Sequence, residues 1–128
     1  MMKNKEISEN GLKLIPKTEI YLDYILDLIV KIPRTERFSI GTEYKLSLYK
    51  MLEKVMYLNK MDKTNNKDVI ILLNKIDSLL MTQRSYLRIM VKNKWIDKKK
   101  FQVAMGLIYE IGKILGGLIK FYAKNIKK

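Results

Sequence analysis

The sequence contains no cysteine and no histidine. Disulfides, thiolate nucleophiles, imidazole bases and nearly all transition-metal sites are therefore excluded. An enzyme would have to rely on carboxylate, lysine, serine or tyrosine chemistry, and the few carboxylates lie mostly beside bases on predicted helix surfaces. We therefore predict a protein that is not an enzyme and that binds neither a metal nor a cofactor.

Proline and long apolar runs are also scarce. The two prolines, Pro16 and Pro33, fall before or between segments of helical periodicity, so long helices are expected. The longest apolar run, residues 69–73, has five residues, whereas a membrane span needs about twenty. Residues 1–11 also lack the apolar block of a signal peptide. We expect a cytoplasmic protein that does not enter a membrane.

With 128 residues, 48% of them apolar, the chain can build one hydrophobic core. We predict a flexible N-terminal leader over residues 1–17 and a single domain over residues 18–128. Apolar residues recur at threes and fours in four segments, from Thr18 to about residue 32, over residues 39–60, from Asn65 to about residue 93, and from Asp97 onwards. Thr18, Asn65 and Asp97 are the expected N-caps. The residues predicted to face the core are Tyr21, Tyr24, Ile25, Leu28, Ile29, Ile32, Leu48, Tyr49, Leu52, Val55, Met56, Val69, Leu72, Leu73, Ile76, Leu79, Leu80, Leu87, Met90, Val91, Phe101, Ala104, Ile108, Ile111, Leu115, Leu118 and Ile119.

Four amphipathic helices joined by short loops bury their apolar stripes most simply in an up-and-down antiparallel bundle. No segment shows the strict alternation of a strand. The predicted fold class is therefore all-α, a four-helix bundle.

Positive charge is concentrated at the C-terminal end of the chain. After residue 77 there are twelve Lys or Arg and two acids, which is a net +10 of the chain's +13. A polyanion is the usual partner of such a surface, and nucleic acid is the leading class. The alternative is a genome-wide preference for Lys, Ile and Asn that gives the charge no function.

Within this region, Arg84, Arg88 and Lys92 stand four residues apart on one predicted helix face, which could follow a phosphate backbone. The predicted nucleic-acid-binding residues are Arg84, Arg88, Lys92, Lys94, Lys98, Lys99 and Lys100. The alternative is an ordinary solvated face. The aromatic side chains Tyr86, Trp95, Tyr109 and Tyr122 are interpreted as core or interface residues in preference to stacking platforms for bases.

Three glycines, Gly112, Gly116 and Gly117, fall inside the fourth predicted helix. Each costs about 1 kcal/mol relative to Ala, so a compensating contact is expected. Close approach of another helix would supply one, either from the same chain or from a second subunit.

Two segments carry a family resemblance. Residues 32–38 read IPRTERF, and residues 110–120 read EIGKILGGLIK. Both resemble the accessory variability determinant proteins of diversity-generating retroelements, and the first also resembles a wider group of four-helix proteins encoded in intervening sequences of bacterial ribosomal RNA genes. The family turn motif comprises Pro33, Arg34, Glu36, Arg37 and Phe38.

The resemblance implies a ring-shaped homopentamer of four-helix subunits that binds RNA and DNA and associates with a reverse transcriptase. Such a protein has no enzymatic activity and helps the polymerase use its template RNA in mutagenic retrohoming. In the turn motif, Phe38 is expected to anchor the core and Glu36 to pair with a nearby base. Arg34 or Arg37 is then available to a partner.

Three alternatives stay open. The chain could be a protein-interaction scaffold of the ribosomal RNA intervening-sequence group, in which case its associations would be insensitive to salt. It could attach to anionic membrane surfaces, although its apolar stripes are needed for the core. It could also be an enzyme, which a reproducible turnover would establish.

Overall fold

The computed structural model describes residues 4–126, with side chains from residue 11 onwards. Four long helices, α1 (Asn4–Ile29), α3 (Thr42–Lys60), α4 (Asn66–Lys92) and α5 (Lys98–Ile126), account for most of this range. A connector of one α-helical turn, α2 (Arg34–Glu36), and one π-helical turn (Arg37–Gly41) joins α1 to α3. Residues 4–126 contain no strand, which confirms the all-α prediction.

The long helices pack as a four-membered ring, with α1 against α3 and α5, and α4 against α3 and α5. Polar side-chain contacts between neighbouring helices mark their relative height: Lys17 with Glu110, Tyr21 with Tyr44, and Gln83 with Ser47. Each helix runs opposite to its neighbours in the ring, as expected for an up-and-down bundle.

The predicted core positions of α4 and α5 are largely correct. All those of α4 are buried except Leu79 and Val91, which are half-buried, and in α5 only Phe101 and Ile119 are half-buried. The predicted caps of both helices are also confirmed, since Asn65 Oδ1 accepts hydrogen bonds from the backbone N–H of residues 67 and 68. Asp97 Oδ1 accepts one from the N–H of Lys100 at 2.8 Å.

The predicted inward face of α3 is partly wrong. Leu48 and Val55 are buried, but Tyr49 and Met56 are exposed. The core is completed instead by Tyr44, Met51 and Leu58, which are buried. Because α3 carries apolar residues on two faces, spacing at threes and fours fits either stripe, and packing against the other helices selects one.

The predicted start of the first helix at Thr18 is wrong. Helix α1 begins at Asn4 and continues through Pro16. Thr18 is buried within the helix, where its hydroxyl donates a hydrogen bond to the carbonyl oxygen of Leu14 at 2.7 Å. Leu14 is itself buried in the core, and such contacts offset the backbone hydrogen bond that a proline removes. The flexibility of residues 1–17 stays a prediction, and residues 1–3, 127 and 128 lie outside the described residues.

A small polar cluster is buried where α1, α3 and α4 meet. The hydroxyls of Tyr21 and Tyr44 are 3.0 Å apart, and the Tyr44 ring lies 5.0 Å from that of Tyr86, centroid to centroid. Burial raises the pKa of both Tyr21 and Tyr44 above the ordinary value, so both hydroxyls stay protonated. Gln83, also buried, donates to Ser47 Oγ at 3.4 Å.

The connector departs from its predicted roles. Phe38, predicted to anchor the core, is 77% exposed, whereas Gly41 at the end of the π-helical turn is buried, and a Cβ there would meet Ile29 at 3.5 Å. Glu36 accepts a hydrogen bond from Ser39 Oγ at 3.4 Å, so among the described residues its side-chain partner is a hydroxyl and not a basic group.

Arg37 has a structural role in this connector. Its Nε donates to the carbonyl oxygen of Ile32 at 3.2 Å, and its Nη2 donates to that of Val30 at 3.1 Å. Carbonyls beyond the end of a helix have no partner within the helix, and a guanidinium is well suited to them. Of the two family-motif arginines, only Arg34 therefore has no such backbone bond in the described part of the chain.

Of the described helices, α5 is long and apolar enough to cross a membrane, judged by length and composition alone. The core helix of a bundle meets the same criterion, and α5 contributes Ala104, Ile108, Ile111 and Leu115 to the core. The expectation that the chain stays out of membranes stays a prediction.

Candidate nucleic-acid interface

Three of the predicted binding residues form a row on α4 that starts at the contact with α5. Arg84, Arg88 and Lys92 follow one another at intervals of one helical turn. The first of them touches α5, since Arg84 Nη2 lies 3.1 Å from the point that a Cβ would occupy at Gly112. Arg84 is half-buried there, whereas Arg88 and Lys92 are exposed.

Two residues of α5 extend this surface, and the sequence analysis did not assign either to it. Lys113 follows Gly112 directly and is exposed, and its Nζ lies 5.6 Å from the centroid of the Tyr109 ring. We call the surface formed by Arg84, Arg88, Lys92, Tyr109 and Lys113 the α4–α5 seam. The signal that could have found Lys113 is its position beside a glycine that admits an arginine of the neighbouring helix.

The α4–α5 loop continues the seam with a strained lysine. Lys94 has φ 61°, the left-handed region in which glycine is preferred. Its N–H bonds the carbonyl of Val91 at 3.1 Å, while the Trp95 N–H bonds that of Met90 at 2.9 Å. These two bonds form a Schellman motif, whose left-handed position is usually glycine. A lysine at this position costs stability and presents a positive charge at the loop.

The first turn of α5 carries Lys98, Lys99 and Lys100 and no acid. The helix dipole adds partial positive charge at this end, so the turn is strongly attractive to anions. Lys100 is partly neutralised, because its Nζ lies 3.3 Å from Asp97 Oδ2. The hydrogen bonds from Lys100 lower the pKa of Asp97, which stays ionised. Lys98 and Lys99 are exposed.

The other acid of this half of the chain is also engaged. Glu110 Oε2 lies 2.6 Å from Lys17 Nζ of α1, and the bond from Lys17 lowers the pKa of Glu110. Both acids after residue 77 are therefore bonded to Lys17 and Lys100, outside the seam. The charge of Lys113 also helps to lower the pKa of Glu110, whereas Arg88 and Lys92 are bonded to neither of these two acids.

The family turn lies at the same end of the bundle as the α4–α5 loop. Lys98 and Ile29 each lie twelve residues from the Lys17–Glu110 pair, so they stand at about the same height, near 18 Å from it at 1.5 Å per residue. The connector that follows Ile29 carries the exposed Arg34 and Phe38. The predicted binding residues from Lys92 to Lys100 thus share one end of the bundle with Arg34.

The glycines of α5 have different surroundings. At Gly112 a Cβ would meet Arg84 and, at 3.7 Å, Leu80 Cδ2, both of α4. At Gly116 it would meet no other helix within 4 Å in the described part of the chain. Gly117 is half-buried. The approach of a neighbouring helix therefore explains Gly112, and a second subunit at Gly116 or Gly117 stays a prediction.

The four aromatic residues Tyr86, Trp95, Tyr109 and Tyr122 also differ in their surroundings. Tyr122 is buried, and Tyr86 is half-buried and packs on Tyr44, as expected for core residues. Trp95 is half-buried in the α4–α5 loop. Tyr109 is 65% exposed, so it is not a core residue, and its place at an interface stays a prediction.

Among the described side chains, no group of three acids could hold a metal ion. A model of the bAvd-like family matches residues 13–122, which is most of the chain. No curated protein and no solved structure matches the sequence.

Proposed function

This chain belongs to the bAvd-like family of accessory variability determinant proteins, and we propose that it is a nucleic-acid-binding accessory subunit of a diversity-generating retroelement reverse transcriptase. In this role it helps the polymerase use its template RNA in mutagenic retrohoming. It acts by binding, as a ring-shaped homopentamer, and contributes no catalytic residue of its own. The partners are RNA or DNA and the reverse transcriptase, in the cytoplasm.

The observation that carries the nucleic-acid part of this proposal is the concentration of basic side chains along the α4–α5 seam and into the loop. Arg88, Lys92 and Lys113 are exposed, and the run continues through Lys94 to Lys98 and Lys99. The two nearby acids are bonded to Lys17 and Lys100. A surface with this charge releases counterions on binding a polyanion, so affinity should fall steeply with added salt. A ring of five copies would strengthen the effect through multivalency.

The first experiment measures binding of structured RNA, single-stranded DNA and duplex DNA across a salt series, on protein whose mass is known from light scattering. Trp95, the single tryptophan, lies in the loop between Lys94 and Lys98 and reports on this end of the bundle by its fluorescence. Salt-dependent binding by a species of about five times 15.2 kDa supports the proposal. No binding at low salt would reject it.

Charge reversal locates the surface. We expect Arg88→Glu with Lys92→Glu to weaken binding by roughly tenfold or more and to reduce the salt dependence. Arg84 is left unchanged because its contact with Gly112 makes it part of the packing. The matched control is Lys50→Glu with Lys60→Glu. It reverses two exposed lysines of α3, the helix diagonally opposite α5 in the four-helix bundle. Equal losses in both variants would show that only net charge matters.

The polymerase partner needs its own test. We expect the chain to co-purify with the reverse transcriptase of a diversity-generating retroelement, and the Arg88→Glu, Lys92→Glu variant shows whether the association depends on nucleic acid. An association that survives nuclease and high salt is a direct protein contact. Failure to co-purify under any condition would reject the polymerase part of the proposal.

A second candidate function is a protein-interaction scaffold, the alternative shared with the ribosomal RNA intervening-sequence group. One observation favours it: the outer face of α3 carries the exposed apolar side chains Leu46, Tyr49, Met56 and Tyr57. Apolar contact through this face would give associations that salt does not weaken. Salt-insensitive capture of a protein, together with no nucleic-acid binding at low salt, would favour this function.

A further inference from the structure

Tyr109 is an exposed aromatic ring placed within the basic surface. It lies three residues before Gly112, the point at which Arg84 of α4 meets α5, and its ring is 65% exposed. Lys113 lies one helical turn after Tyr109, and its Nζ is 5.6 Å from the centroid of the Tyr109 ring. Positive charge therefore borders the ring along α5 and across the seam on α4.

An exposed aromatic ring flanked by basic side chains is the combination that binds single-stranded nucleic acid. In a duplex the nucleobases are stacked on each other inside the helix and the phosphates face outward. An aromatic side chain of the protein therefore finds no free nucleobase to stack on, and phosphate contacts dominate. In a single strand the unpaired bases are free to stack on tyrosine, while lysine and arginine contact the phosphates. Stacking of this kind tolerates any base and needs no specific hydrogen bonds.

We propose that the α4–α5 seam binds single-stranded nucleic acid, with Tyr109 stacking on an unpaired base and Arg88 and Lys113 contacting the adjacent phosphates. This inference rests on the proposed function and specifies its ligand. In the free protein the Lys113 ammonium interacts with the ring, so the ring and the charge are already held together before a strand arrives. Arg84 supports the seam from α4 through its contact at Gly112.

The experiment compares Tyr109→Ala with Tyr109→Trp in fluorescence anisotropy titrations. The probes are labelled single-stranded RNA, single-stranded DNA and a DNA duplex of equal length. We expect Tyr109→Ala to bind both single strands about tenfold more weakly, because one stacking contact is lost. Tyr109→Trp should restore single-strand binding. Duplex binding and the salt dependence should stay unchanged, because no charge is removed.

The matched control is Tyr57→Ala. Tyr57 is 61% exposed, nearly the same as Tyr109, but it lies on α3, diagonally opposite α5 in the four-helix bundle. Its removal should not change binding. An equal loss in Tyr57→Ala, an equal loss on single strands and duplex, or no loss in Tyr109→Ala would each overturn the inference.

Two further readouts separate the possible failures. Light scattering of Tyr109→Ala should show the mass of the unsubstituted protein, and a smaller mass would overturn the inference in favour of a contact between subunits. If the unsubstituted protein binds and Arg88→Glu with Lys92→Glu does not, while Tyr109→Ala is unchanged, only the stacking inference fails. If the unsubstituted protein binds no nucleic acid, the proposed function fails first. The RNA and DNA titrations show which strand the seam prefers.

Discussion

The side chain of Arg84 of α4 fills the space that a side chain at Gly112 of α5 would need. The guanidinium Nη2 of Arg84 lies 3.1 Å from the position of a Cβ at residue 112. A methyl group there would force the guanidinium to move by a few tenths of an ångström. The glycine thus lets a charged side chain reach the contact between two helices.

Gly112→Ala should separate packing from binding. Alanine favours the helix by about 1 kcal/mol, and the displaced atom is the end of a flexible side chain, so we expect a change in unfolding free energy within about 1 kcal/mol. Gly112→Leu should destabilise by more than that, because its larger side chain must also displace Leu80. Urea unfolding of both variants measures the effect. A severe loss in Gly112→Ala would mean that Arg84 cannot yield.

Gly116→Ala tests whether a second subunit meets α5. Among the described residues, no neighbouring helix comes within 4 Å of the added Cβ, so an isolated chain should gain about 1 kcal/mol of stability. The proposed ring predicts a different result if the glycine lies at a subunit contact, namely a smaller mass in light scattering. Thermal unfolding and mass, measured on the same sample, distinguish the two. Greater stability with an unchanged mass would place the subunit contact elsewhere.

Lys94→Gly should raise the stability of the fold and weaken nucleic-acid binding. Glycine adopts the left-handed conformation at this Schellman position without strain, so we expect the variant to be more stable by about 1 kcal/mol. Removing one phosphate contact should lower the slope of log affinity against log salt by about 0.7 to 0.9. Lys94→Asn, which keeps a left-handed former without the charge, should behave similarly. Unchanged nucleic-acid binding in both variants would remove Lys94 from the interface.

Arg37→Ala should weaken the fold without touching the interface. The variant loses the bonds to the carbonyl oxygens of Val30 and Ile32, and because the side chain is exposed we expect a cost of about 1 kcal/mol in unfolding free energy. Arg34→Ala is the control, since Arg34 lies in the same connector. Arg37→Ala should leave nucleic-acid affinity almost unchanged. A large loss of affinity with no loss of stability would show that Arg37 faces a partner.

Much of the fold could be predicted because its signals are local. Asn65 and Asp97 were recognisable as caps, since each needs only its own side chain and the next three residues. The stripes of α4 and α5 were recognisable because each helix has one dominant apolar face. The start of α1 is not predictable in this way, because a proline normally marks a helix boundary, whereas α1 continues through Pro16.

The candidate site was only partly predictable. The run of bases from Arg84 to Lys100 is visible in the sequence, but the membership of Lys113 and Tyr109 depends on which side of α4 meets α5. Phe38 was placed in the core because an apolar residue in a short connector has no periodicity to orient it, and the π-helical turn leaves it exposed.

The sequence by itself determined the all-α class, the caps of α4 and α5 and the concentration of charge after residue 77, since composition and local hydrogen bonding are properties of short segments. Only the tertiary structure decided which apolar face of α3 is buried, and that Gly112 admits Arg84. It also decided that the side chain of Tyr109 is exposed beside the basic residue Lys113. These outcomes depend on the rotation of each helix about its axis, which is set by packing against its neighbours and not by the residues of the helix alone.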